Sequence, residues 1–187
     1  GTTITVGTTS STFGAAAVSN VACFGSFAAT SSTTGVISYR NNATANYTYV
    51  INTVTHNGSS APTFGTASAT VISTANQYGA PLLNKIDSTT IFVAYAALTT
   101  AYPVARIATL SGTSAPTLGT ASATVTSTSQ GYQAPTISKI DATTAFIAYN
   151  NAASTYYPIA RIATLSGTSA PTLGTANTTS TDSFNSI

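Results

Sequence analysis

Short apolar runs alternate with clusters of Gly, Pro, Ser and Thr along the whole chain. Ile91-Phe-Val-Ala-Tyr95 is apolar at every position, and Val104-Ala-Arg-Ile107 at every position but the Arg. A strand reads this way when both of its faces are covered. The Thr, Val and Ile content, with turn residues roughly every eight to twelve positions, predicts strands throughout and leaves no helical period to compete. Ile91 to Leu110 has the length of a membrane span, but it holds Pro103, Arg106 and several Thr, so a transmembrane reading is rejected.

The apolar runs belong to a tandem repeat. Pro62 to Ala115 recurs as Pro116 to Ala170 at about two-thirds identity with one inserted residue, a period of 54 to 55. A more diverged copy precedes them, with Thr12-Phe13-Gly14 at its start, Gly35-Val-Ile-Ser-Tyr39 in the place of Ile91–Tyr95, and Asn57-Gly-Ser-Ser-Ala-Pro62 at its close. Gly7 to Gly14 repeats the spacing of Gly112 to Gly119, and another copy begins at Thr172-Leu-Gly174. The chain is therefore expected to be one repeat domain, 1–187, of about three and a half units: 14–61, 62–115 and 116–170, with partial units 1–13 and 171–187.

Four short strands are predicted per unit. In the second unit they are Pro81 to Ile86, Thr90 to Ala96, Pro103 to Leu110 and Leu118 to Val125, the last shared across the seam with the third. Asp87-Ser-Thr-Thr90 and Asp141-Ala-Thr-Thr144 suit tight turns, because an Asp at the first position can accept from its own backbone two residues on. Four-stranded units of this length, covered on both faces, predict an all-β, β-propeller-like architecture.

The pattern Ala134-Pro-Thr-Ile-Ser-Lys-Ile-Asp141, Thr144-Ala-Phe-Ile-Ala-Tyr149, Pro158-Ile-Ala-Arg-Ile162 resembles the first three strands of blades in sialidase-like propellers. It is also similar to degenerate repeats of large secreted and phage-encoded surface and fibre proteins. The resemblance implies the fold and not the activity. The Asp-box pattern Ser-x-Asp-x-Gly-x-Thr-Trp is absent, and the chain has no Glu for the catalytic pair of a sialidase.

Composition narrows function further. Only 4% of the 187 residues are charged, with five Lys and Arg, three Asp or Glu, one His and a net charge of +2. Acid/base, glycosidase and metal sites draw on paired carboxylates or His clusters, so no enzyme activity, cofactor or metal is expected. Nucleic acid is not an expected partner, since phosphate tracking needs clustered cations. With no Met and a start at Gly1, the chain is expected to be a processed form or part of a longer product. Cys23 has no partner for an intrachain disulfide and is expected to act as a small buried hydrophobe. His56 is expected at a strand end.

Three groups of residues carry the remaining expectations. Lys85 and Asp87, and again Lys139 and Asp141, sit two apart and are expected on one strand face; with Arg106 and Arg161 they would form structural ion pairs or turn braces. Asn150, Asn151, Tyr156 and Tyr157, with Tyr102 in the preceding unit, place aromatic rings beside amides, a combination that suits sugars. The segment Thr2, Thr3, Ile4, Thr5 and Val6 is expected to serve as an assembly strand, because both chain ends supply half-units whose open edges need covering. The sequons at Asn42, Asn46, Asn57 and Asn177 are no more frequent than composition predicts. Together these readings point to a non-catalytic structural protein of an extracellular filament or virion surface. Its expected partners are copies of itself or a larger parent assembly, joined through terminal strands. A carbohydrate-binding propeller or adhesive fibre module, recognising surface glycans, is the alternative.

Overall fold

In a computed structural model, residues 24–41, 48–57, 60–73, 81–97, 102–123, 135–151 and 157–178 are described, and every regular element among them is a β-strand. Three antiparallel sheets follow one another along the chain. The first contains β1 (Phe24–Ala29), β2 (Thr34–Asn41), β3 (Thr48–Thr55) and β4 (Thr63–Phe64) in that order, with β5 (Ile72–Ser73) also on β3. β6 (Leu82–Lys85), β7 (Thr90–Ala97), β8 (Tyr102–Thr109) and β9 (Thr117–Leu118) make the second. The third has β10 (Thr136–Lys139), β11 (Thr144–Asn151), β12 (Tyr157–Thr164) and β13 (Thr172–Leu173), with β14 (Asn177–Thr178) on β12. Each is thus a four-position meander, and the stretch considered for a membrane span supplies the paired strands β7 and β8. Among the described residues no helix is long and apolar enough to cross a membrane.

The sheets share one register. Thr34 pairs with Thr55, Thr90 with Thr109 and Thr144 with Thr164, so these positions are equivalent. The turn before each is closed in the same way. Asp87 Oδ1 accepts from Thr89 N at 2.8 Å, and Asp141 Oδ1 from Thr143 N and Thr144 N at 2.8 Å each. In the first sheet Ser31 takes the place of the Asp, its Oγ accepting from Thr33 N at 3.1 Å and Thr34 N at 3.0 Å. Any short side chain with an acceptor oxygen serves here. β6 and β10 end at Lys85 and Lys139, so the Asp residues stand in turns rather than on the strand face shared with the Lys.

The fourth strand is shorter than expected. Of the segment Leu118 to Val125, Leu118 alone belongs to the two-residue β9, and Val125 lies outside the described residues. The backbone nevertheless stays beside β8. Gly119 N donates to Ile107 O and Ser122 N to Ala105 O, both at 2.8 Å, while Ala105 N donates to Ser122 Oγ at 3.0 Å. A side-chain oxygen thus stands in for the carbonyl a regular ladder would supply. Ser68 plays the same part for Ile51 N at 2.9 Å in the first sheet.

Packing is face to face. Ala28, Val36, Tyr49 and Ile51 of the first sheet meet Leu83, Ile91, Val93, Tyr95 and Val104 of the second. Phe92, Ala105 and Ile107, on the other face of the second sheet, meet Ala145, Ala163 and Leu165 with the third. Alternate side chains of β7 therefore point into different layers, and Ile91 to Ala96 is buried without interruption. The first strands lie together, β1 beside β6 and β6 beside β10.

Candidate functional site

The feature that recurs among the described residues is the joint between consecutive sheets. Its outer half uses two glycines. Gly112 has φ of 56° and Gly167 of 52°, a left-handed backbone that glycine adopts without strain. They sit in the turns closed by Ser114 N to Ser111 O and Ser169 N to Ser166 O, each 3.0 Å. Thr113 O, in the first of these turns, accepts from Thr66 N of the preceding sheet at 3.0 Å, and Thr168 O in the second accepts from Thr120 N at 3.2 Å. A Cβ at Gly65 would lie 2.4 Å from Thr113 O, and one at Gly119 would lie 2.4 Å from Thr168 O. No side chain fits either place, so the Gly-Thr pair after the fourth strand is a backbone docking point.

The inner half of the joint is polar. Ser38 Oγ, fully buried, donates to Pro81 O at 2.6 Å, and Leu83 N donates to Ser26 Oγ at 3.1 Å. Between the second and third sheets, Lys139 N donates to Asn84 Oδ1 at 3.0 Å and Lys139 Nζ donates to Ile86 O. Leaving the buried Ser38 hydroxyl without a partner would cost on the order of 1–3 kcal/mol, so its bond helps fix which strands lie opposite one another.

The third sheet carries the same groups as the second without the same cover. Ile86 is 2% exposed and its equivalent Ile140 is 55%; Ile107 is 1% exposed and its equivalent Ile162 is 42%. Phe146 and Ala148 are half-buried where Phe92 and Ala94 are fully buried. Gly174, equivalent to Gly119, would meet nothing closer than Ile162 O at 3.3 Å with an added Cβ. Thr175 N, equivalent to Thr66 N and Thr120 N, has no partner among the described residues. In the first sheet Phe27 is 59% exposed, its ring lying over Gly35, while Tyr39 and Val50 on the same face are buried. Compared with known proteins, the chain matches no family model, no curated protein and no solved structure.

The charged residues expected to pair are placed differently. Asp87 and Asp141 serve their own turns, and the backbone N–H of Thr89 and Thr143 respectively holds each carboxyl below the ordinary carboxylate range. Arg161 Nε donates to Tyr149 OH at 2.8 Å and Arg161 NH1 to Gly174 O at 2.7 Å, while burial pushes the Tyr149 hydroxyl up. Arg106 Nε is buried without a protein partner beside Tyr95, whose hydroxyl is likewise pushed up by burial. Lys139 reaches a carbonyl, and Lys85 is exposed. Among the described residues no ion pair joins these cations to either Asp; braces of hydrogen bonds take that role.

The expected sugar-binding residues fall at hairpin ends. Asn150 pairs with Pro158 and Asn151 with Tyr157 across β11 and β12, and Tyr102 pairs with Ala97 across β7 and β8. Tyr156 lies outside the described residues, as do Cys23 and Thr2 to Val6. His56 directly follows β3, with its N donating to Thr33 O at 2.9 Å. A small hollow between the first two sheets is lined by Thr30, Thr34, Thr53, Thr55, Ser88 and Thr89 among others. Thr53 Oγ1 there is buried without a protein partner. Water-sized space beside an unpaired hydroxyl suits bound solvent. Ser38, Ser68 and Ser122 were not singled out from sequence, and in a chain about one-third Ser and Thr nothing marks them.

Proposed function

We propose that the chain is a non-catalytic structural protein whose sheets are consecutive blades of a propeller-like stack and whose work is assembly. The observation that carries this reading is the repeated joint: the same Gly-Thr docking point and apolar faces connect the first sheet to the second and the second to the third. The composition agrees. Three Asp, no Glu and one His leave little material for acid/base chemistry, and a Ser/Thr-rich surface with few charges suits an extracellular filament or virion exterior. Copies of the chain, or a larger parent assembly, are the partners, with the terminal segments including Thr2 to Val6 as connectors.

The test is assembly itself. Light scattering and electron microscopy of the full chain should reveal particles larger than one subunit, and deletion of Gly1 to Val6 should abolish them while circular dichroism keeps its β signal. A chain that stays monomeric, or turns over glycosides with a rate that disappears on Asp87→Asn or Asp141→Asn, overturns the proposal. Saturable binding on a glycan array that is lost with Tyr157→Ala would replace it with the carbohydrate-binding alternative.

A further inference from the structure

We infer that the hollow between the first and second sheets is a binding site for a small uncharged polyol, one that carries vicinal hydroxyls either as a free molecule or as an arm of a sugar. The inference goes beyond the assembly reading and does not rest on it.

The two joints of the stack serve as each other's control. Thr30 and Ile86 are equivalent, since each N–H donates to the carbonyl of the Thr that opens the next strand, and Thr53 and Ile107 are equivalent by register. At the second joint Ile86 and Ile107 are 2% and 1% exposed and pack with Leu165 of the third sheet. At the first joint Thr30 and Thr53 stand in those places, with Leu110, the equivalent of Leu165, across from them. Ser88, in the turn of the second sheet, likewise stands where the third sheet has Ala142. Two branched apolar side chains and a methyl are thus exchanged for three hydroxyls at one joint and not at the other. The hollow lies at that spot, with a volume of about 90 Å³. A water takes roughly 10–15 Å³ of such space, so there is room for several.

The lining sets the chemistry of the guest. Thr30 and Thr53 are 3% and 4% exposed while Ser88, Thr89 and Gly112 are exposed, so the hollow has a closed floor and an open mouth. Hydrogen-bonding capacity is left over at both. Thr53 Oγ1 is buried without a protein partner, and Ser88 at the mouth has none within the protein. Thr30 Oγ1 and Thr34 Oγ1 share one bond of 2.8 Å and keep acceptor capacity. A hydroxyl both donates and accepts, so these groups suit a guest of their own kind. None of the described lining residues is charged, and the Asp87 carboxylate in the adjoining turn already accepts from Thr89 N at 2.8 Å and Thr89 Oγ1 at 3.0 Å. An ion would enter without compensation. The Thr methyl groups and Leu110 supply carbon surface between the hydroxyls, and a polyol alternates carbon with hydroxyl in the same way. Its entry displaces waters and gives the Thr53 hydroxyl a partner.

Amide NMR titration of the full chain with glycerol and with methyl glucoside tests this, with sodium acetate as a charged probe. A polyol should give saturable shifts confined to Thr30, Thr89, Gly112 and their neighbours, and acetate should give none. Thr53→Val keeps the shape but removes the hydroxyl, and should weaken binding about tenfold, the equivalent of one hydrogen bond. Thr30→Ile combined with Thr53→Ile, the pair found at the second joint, should abolish binding and raise the melting temperature. Circular dichroism first shows that the variants are folded; should the Ile pair not fold, Thr53→Val alone decides. Tyr157→Ala should leave the midpoint unchanged, since that residue stands at a hairpin end of the third sheet. Saturation by glycerol identifies a free polyol and saturation by methyl glucoside alone a sugar arm, and either result sustains the inference. Shifts that grow linearly with both polyols would mean that solvent alone fills the hollow and overturn it. A midpoint that neither Thr53→Val nor the Ile pair moves, binding lost with Tyr157→Ala, or equal saturation by acetate would overturn it as well. A chain that binds a polyol in this way and stays monomeric overturns the assembly proposal alone.

Discussion

Ile107 and Ile162 stand at the same place in strands of nearly the same sequence, Pro103-Val-Ala-Arg-Ile and Pro158-Ile-Ala-Arg-Ile, yet one is 1% exposed and the other 42%. The difference lies in what is beside them. The second sheet is enclosed between two others, and β7 is buried along both faces; the third has one enclosed face, and β11 alternates between buried Ala145, Ile147 and Tyr149 and half-buried Phe146 and Ala148. Two sheets written in one pattern thus occupy two environments. An apolar residue in a repeat reports the environment the repeat is built for, and at the end of the stack that environment is incomplete.

The sharpest way to break the comparison is to remove the same ring from both sheets. Phe92→Ala should cost about 3–5 kcal/mol, the range for emptying a fully buried aromatic site. Phe146→Ala should cost roughly 1 kcal/mol, because its ring already meets solvent on one side. Urea unfolding of the two variants measures the pair, and equal losses would mean that the third sheet is covered on both faces in solution.

Next in size is the glycine pair. Gly119→Ala forces Thr168 O away from a Cβ placed 2.4 Å from it and should cost on the order of 1–3 kcal/mol. Gly174→Ala meets only Ile162 O at 3.3 Å, so its melting temperature should stay within a degree or two of wild type at concentrations where the chain is monomeric. A large loss at Gly174 would locate a neighbour that the comparison says is missing.

The stand-in hydroxyls give a similar contrast. Ser122→Ala leaves the N–H of buried Ala105 without an acceptor and should destabilise by about 1–3 kcal/mol. At the equivalent place in the third sheet, exposed Asn177 belongs to β14 and pairs with Ala160 through the backbone. Asn177→Ala should therefore be close to neutral. Amide hydrogen exchange at Ala105 and Ala160 would separate the two, with Ala105 losing protection in Ser122→Ala and Ala160 keeping it in Asn177→Ala.

The smallest effect is expected where the sheets do not differ. Asp87 and Asp141 both titrate below the ordinary carboxylate range because their own turn N–H groups favour the charged form. A lowered folded pKa contributes stability that is present above the unfolded carboxylate's titration and is lost as pH falls through the folded value. Melting temperature should thus decline slightly in acid, below the ordinary Asp range, and Asp87→Asn and Asp141→Asn should each flatten that slope while keeping the turn. A marked difference between these variants would show that the turns feel the cover that the strand faces do.

Much of the architecture is legible in the amino-acid sequence. The 54-to-55-residue period, the all-β content and the turns opened by Asp87 and Asp141 follow from spacing and side-chain chemistry, because turn geometry and strand alternation are decided within a few residues. Ser31 in place of Asp belongs to the same local logic. The fourth strand did not follow, since the segment after Leu118 reads as β-prone while its outcome depends on a carbonyl from the next sheet's turn. The ion pairs expected of Lys85, Asp87, Arg106, Lys139, Asp141 and Arg161 were equally out of reach: one sequence position does not say whether an Arg will meet an Asp, a Tyr hydroxyl or a carbonyl. The unit, its length and its turns are written in local side-chain chemistry. Which apolar face is covered, which glycine is crowded and which Ser hydroxyl replaces a ladder bond were decided by tertiary structure alone, because each depends on atoms more than a dozen residues away that meet only when one sheet is laid on another.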